Sequence, residues 1–145
     1  MNARPATPAR PLTPAAVRPR LRAAAGGLFL VLLAVWTWKL LEPSPIPESL
    51  RLSLASFWEL LPFVAAKCLH AGGYGLLTAL AWVWAPTPRW KAAAVAFMLL
   101  HGVGTEIGQT YVPNRTGKVT DVLIDWAGIA AGLLAVRRAI PAGRL

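Results

Sequence analysis

The sequence predicts an all-α fold, a polytopic membrane protein built as a four-transmembrane-helix bundle. Three observations carry that expectation. Hydrophobic residues make up 56% of the 145-residue chain and charged residues only 14%. The apolar residues fall into four long runs, each near the length that crosses a bilayer. The basic residues cluster at the ends of those runs, where topology signals belong, and not along one helical face or loop. The net charge of +9 is therefore read against anionic lipid, and no nucleic-acid partner is expected. Single Cys68 excludes an internal disulfide.

Residues 1–22 hold five prolines, five arginines and no acid, the composition of a disordered basic tail. The transmembrane domain then covers 23–140, with spans at about 23–41, 61–85, 92–112 and 119–136. The first run has 19 residues and continues into Trp-Lys-Leu-Leu-Glu-Pro, with no small-residue cleavage site. It reads as an uncleaved helix whose Lys39 snorkels to an interface. Residues 42–60 carry Pro43, Pro45 and Pro47 and read as a loop with room for a short interfacial helix. Pro86 to Lys91 is a tight basic connection, and Pro113 to Lys118 a turn. The fourth run is the weakest, because its uncharged part from Trp126 to Val136 has only 11 residues. No internal repeat is present.

Lysine and arginine set the orientation. With four spans, the N-terminal tail, the 86–91 connection and the C-terminal tail share one side and hold ten of the 15 basic residues. Both termini are expected in the cytoplasm of a multi-pass plasma-membrane protein. Trp36, Trp38 and Trp58 then fall near the outer interface, and Trp82, Trp84 and Trp90 near the inner one.

This topology gathers polar residues at one depth. Lys67 and His70 start the second span, Glu106 and Gln109 end the third, Arg115 lies in the turn, and Asp121 and Asp125 start the fourth. Three of the chain's six acids sit between His101 and Gly132. Ionisable groups inside membrane-length apolar runs are costly, so they mark function by default. Asp121, Asp125, Gly128 and Gly132 share one helical stripe, and Gly104 and Gly108 form a second small-residue pair, so the third and fourth spans are expected to pack closely. Lys67, His70 and Tyr74 share another stripe.

Each residue also has a plainer reading. His70 fits a neutral core histidine as well as a ligand or proton carrier. His101 lies deeper and reads as structural. Glu106 fits an ion-pair partner for Lys67 or Arg115. Asp121 fits a first-turn acid, with Thr120 as an alternative cap. Arg115 suits either turn solvation or a bidentate grip on phosphate or carboxylate. A metal site from His70, Glu106 and an aspartate is conceivable, but no ligand motif supports it, and no metal or cofactor is expected. Cys68 is two residues from His70 on another face, which disfavours a nucleophile pair.

Several of these pieces together resemble the VanZ-like family of small integral membrane proteins: Lys67-Cys-Leu-His70, then Gly73-Tyr74, Glu106-Ile-Gly-Gln109, Arg115 before Asp121, and Asp125 leading to Gly128 and Gly132. They cover residues 67–132 in the family's order and spacing. The resemblance implies a helical membrane domain linked, in some members, to resistance to the glycopeptide teicoplanin. One departure is Asp125, where the family often carries asparagine.

Three functions follow as expectations. The first is a binding or protective module at the outer leaflet, in which Lys67, His70, Glu106, Gln109, Arg115, Asp121 and Asp125 hold a lipid-linked or peptidic envelope component. The second is an intramembrane enzyme acting on an envelope lipid or peptidoglycan precursor, with Glu106 or His70 as general base and Arg115 stabilising negative charge. The third is a scaffold whose polar network only fixes helix packing. Membrane lipids are the expected surroundings, homo-oligomerisation is left open, and a transporter is disfavoured by four short spans.

Overall fold

A computed structural model describes residues 14–43 and 60–140. Among them the chain forms four helices and no strand: α1 (Pro14–Leu41), α2 (Leu60–Trp84), α3 (Pro88–Gln109) and α4 (Val119–Ala139). The expected loop at 42–60, the outer-belt Trp58 and residues 141–145 fall almost wholly outside this range.

The helix ends follow local chemistry. Thr87 caps α3 by accepting the Trp90 N–H, and Pro88 takes the first helical position, where a missing N–H costs nothing. Arg137 and Arg138 lie in the last turn of α4, against the negative end of its dipole. The start of α4 has no side-chain cap of its own. Two boundaries differ from expectation. α1 begins at Pro14, inside the stretch read as tail, because alanine and arginine there favour helix; Pro19 sits within it. α3 stops at Gln109, and a turn through Asn114, whose φ is +60°, replaces its expected last residues.

The span count is also coarser than expected. Among the described residues, two helices, Pro19–Leu41 and Val119–Ala139, are long and apolar enough to cross a membrane. Lys67 and His70 in α2, and His101, Glu106 and Gln109 in α3, lower the hydropathy of the other two.

The tightest seam joins α2 and α4. A Cβ on Gly128 would run into the backbone of Ala71, and one on Gly132 into the backbone of Gly75. The small-residue stripe of α4 thus faces α2. The approach expected between Gly104–Gly108 and α4 is not there: a Cβ on Gly104 would meet nothing within 4 Å, and Gly108 lies against the Leu41 side chain at the end of α1. A four-residue spacing defines a face but not the neighbour that fills it. α1 seats on the bundle through rings placed over glycine, Trp36 over Gly73 and Trp84 near Gly26. Phe29, Leu40, Leu77, Ala81, Met98 and Ile129 fill the centre.

Candidate functional site

The α2–α4 seam decides what the polar residues meet. Because Gly128 and Gly132 bring α4 against Ala71 and Gly75, the acids earlier on the same stripe are laid beside the first turns of α2. Asp121 pairs with Lys67, and one turn deeper Asp125 pairs with His70, with Nδ1 to Oδ1 at 3.0 Å. The Thr120 hydroxyl also leans on Asp121, at 3.4 Å. Asp121 is thus an ion-pair partner, and Thr120 caps nothing.

Glu106 reaches the same place from α3. Its Oε2 accepts the Lys118 backbone N–H at 2.7 Å, so a neighbouring helix supplies the cap that α4 lacks. Gly117 makes this reach available: a Cβ there would collide with the Glu106 carbonyl, so only glycine lets the turn lie against α3. Gln109 is buried one turn beyond Glu106. Arg115 is half-buried and donates Nε–H to the Glu42 carbonyl at 3.1 Å, tying the α3–α4 turn to the end of α1. Among the described residues it takes no carboxylate partner.

Two carboxylate oxygens are left over. Glu106 is 4% exposed and Asp125 0%. Yet among the described residues Glu106 Oε1 and Asp125 Oδ2 have no hydrogen-bond partner. Buried polar atoms in folded chains are nearly all partnered, so each exception calls for a reason.

A second network lies deeper and is closed. The Thr37 hydroxyl donates to the Leu33 carbonyl at 2.7 Å and meets His101 Nε2 at 2.9 Å. His101 Nδ1 lies 3.0 Å from the Tyr74 hydroxyl, which also meets the Thr105 hydroxyl at 3.0 Å. Thr105 in turn donates to the Gly102 carbonyl. Three hydroxyls and a neutral imidazole supply four protons for these five contacts, so every group is engaged and one contact is shared. The chain of bonds joins α1, α2 and α3.

Sequence reasoning missed what α1 adds. Trp36 does not look out to an interface; its ring stands edge-on to His70 at 6.1 Å and to Tyr74 at 6.2 Å. It touches both networks, and its buried Nε1–H has no partner. Thr37 and Thr105 were missed as well. The only hint was their polarity within apolar runs, a signal too common for threonine to stand out.

The opposite end of the bundle differs in kind. There an apolar groove of about 710 Å³ opens between α1, the end of α2 and the start of α3, walled by Phe29, Leu33, Trp84, Trp90 and Phe97. Lys91 and Arg137 both lie over the Trp82 ring, at 4.9 and 4.8 Å.

The VanZ/LLP1 family matches residues 29–140, which takes in the C-terminal part of α1 from Phe29, all of the other three helices and every residue of both networks. No curated protein and no solved structure matches the chain. A match over so much of the chain carries one conclusion: the protein belongs to the VanZ/LLP1 family.

Proposed function

We propose that the chain is a four-span plasma-membrane protein, with both termini in the cytoplasm. Its polar cluster near the outer leaflet binds an envelope component carrying an anionic or hydroxyl-bearing head group, lipid-linked or peptidic. A role in resistance of the teicoplanin type is part of the same reading.

The observation that carries it is the inverted distribution of polarity. Glu106, Gln109, Asp121 and Asp125 are buried, while Leu69 and Leu100 stand 62% and 71% exposed. Apolar outside and ionisable inside is how lipid-facing helices are arranged around a functional interior. The 25 residues of α2 and 22 of α3 give lengths of about 37 and 33 Å at 1.5 Å per residue, enough for a hydrocarbon core of about 30 Å. Ten of 15 basic residues on one side support the orientation.

The binding role rests on the unserved groups. A head group offering hydroxyls or amines would satisfy Glu106 Oε1 and Asp125 Oδ2. Lys67 and Arg115, at the mouth of the cluster, would hold an anionic portion, Arg115 with guanidinium nitrogens other than the Nε committed to Glu42.

The test is photo-crosslinking of envelope lipids to the protein in its own membrane. Glu106→Ala and Arg115→Ala should each lower labelling at least about tenfold, which corresponds to 1.4 kcal/mol of binding. Unchanged labelling in folded variants rejects the pocket. The topology has its own check: accessibility labelling that places positions 70 and 121 on opposite sides of the membrane rejects the four-span arrangement.

A further inference from the structure

We propose that His70, Glu106 and Asp125 form a binding site for one first-row divalent cation of the Zn²⁺ type, with at least one coordination position open. The inference goes beyond the head-group reading and stands without it.

Three helices contribute one residue each, and one ligand atom from each lies within 4.8 Å of the other two. Side chains distant in sequence are thus already gathered to about the size of a coordination shell. The His70 Nδ1 to Asp125 Oδ1 separation of 3.0 Å suits a shared proton, and equally a shared ion. Two ligands each about 2.1 Å from a cation sit roughly 3.0 Å apart at right angles and roughly 3.4 Å apart at the tetrahedral angle. A pair at the 4.8 Å limit need close by only about 1.4 Å to meet the tetrahedral separation.

Charge gives the second argument. Glu106 and Asp125 are buried, and among the described residues each keeps one oxygen without a hydrogen-bond partner. A buried carboxylate must find compensation or give up its charge. Two basic side chains of this end of the bundle have other engagements: Lys67 pairs with Asp121, and Arg115 is tied to the Glu42 carbonyl. One divalent ion would neutralise both carboxylates and use both spare oxygens.

The donor set narrows the ion. One borderline imidazole and two hard carboxylates are better suited to Zn²⁺, Mn²⁺ or Fe²⁺ than to a thiolate-seeking ion. The lone cysteine, Cys68, is exposed and two residues from His70, off its helical face. Glu106 is held for the task, because its Oε2 is fixed by the Lys118 N–H while Oε1 stays available. Three protein ligands leave a fourth position for water or an oxygen of an anionic ligand, the pattern of reactive zinc sites.

The experiment uses the full chain in detergent, stripped of metal and titrated with Zn²⁺ against a chromogenic chelator. One equivalent should bind per chain, with the same affinity in Cys68→Ser. Co²⁺ in its place should give the visible bands of a nitrogen–oxygen site. His70→Ala, Glu106→Gln and Asp125→Asn should each weaken Zn²⁺ binding at least about 100-fold. Absence of stoichiometric binding overturns the proposal. So does equal affinity in Glu106→Gln and Asp125→Asn, or loss of binding in Cys68→Ser, which would mark an adventitious thiol site. Should the ligand variants fail to fold, X-ray absorption on the zinc-loaded wild type decides. A shell of nitrogen and oxygen with one imidazole sustains the site, and a sulfur neighbour refutes it. Lipid crosslinking is read separately, so loss of metal binding and loss of head-group labelling are distinct results.

Discussion

The chain has two histidines, and they occupy opposite kinds of surroundings. His101 is bonded through both ring nitrogens, to Thr37 and Tyr74, in a network that ends on backbone carbonyls at each side. Nothing there asks for a further partner. His70 meets one oxygen of Asp125, while the other oxygen of Asp125 and one of Glu106 remain unserved in a buried setting. A closed network of neutral hydroxyls fixes helices against one another. An open one, richer in charge than in donors, leaves buried oxygens that a group from outside the chain can serve. On the proposals above, the difference separates a packing histidine, His101, from a binding one, His70.

That contrast depends on the α2–α4 seam, and the largest predicted effect comes from breaking it. Gly128→Val drives a branched side chain into the Ala71 backbone, which no rotamer relieves. The expected loss is about 3 kcal/mol, the upper end for overpacking, and it should disturb both histidines together. Thermal unfolding in detergent measures it. Gly104→Val is the matched control. A Cβ there meets nothing within 4 Å, so the change should cost only a fraction of that amount, although the two glycines look alike as a sequence pattern.

The next changes separate the histidines. Tyr74→Phe removes the one hydroxyl shared by His101 and Thr105; Thr105 keeps the Gly102 carbonyl, but His101 Nδ1 is left without its partner. It should cost about 2 kcal/mol of stability. Asp125→Asn and Glu106→Gln should act in the opposite sense. Each removes a buried charge without changing shape, so metal-free stability should hold or rise by about 1 kcal/mol, while binding is lost. Parallel unfolding and binding curves check both. If Asp125→Asn destabilises as much as Tyr74→Phe, the open cluster is structural after all and the contrast fails.

The sequence made one half of this picture legible. Order along the chain sufficed to expect Lys67, His70, Glu106, Gln109, Asp121 and Asp125 at one end of the bundle, because alternate spans reverse direction. The i, i+4, i+7, i+11 run from Asp121 to Gly132 also marked one face of α4 correctly as a unit. What sequence could not supply was the neighbour. Periodicity gives a direction around one helix axis and nothing about which helix lies there, so the partner of Gly128 was sought on α3 and lies on α2. Glu106 shows the same limit. Its first oxygen goes to a backbone N–H at the start of α4, a bond that depends on how closely Gly117 lets the turn approach. The part played by α1 was hidden for another reason. Trp36 has the look of an interfacial belt residue, and only packing turns it inward between His70 and Tyr74.

Trp36 also supplies the finest test of the comparison, through its neighbour in sequence. Thr37→Val is nearly isosteric and keeps the β-branched shape that α1 already accommodates. It removes the acceptor for His101 Nε2 and leaves the Leu33 carbonyl its helical partner. The expected cost is about 0.5–1.5 kcal/mol, with no change in what His70, Glu106 and Asp125 bind. Combined with Asp125→Asn, the two effects on stability should add to within about 0.5 kcal/mol if the networks are independent. The indole between them is one side-chain route by which they could speak to each other, since it touches a member of each. A coupling well above that margin, abolished by Trp36→Leu, would show that the closed network sets the geometry of the open one, and His101 would then count among the residues that position the site.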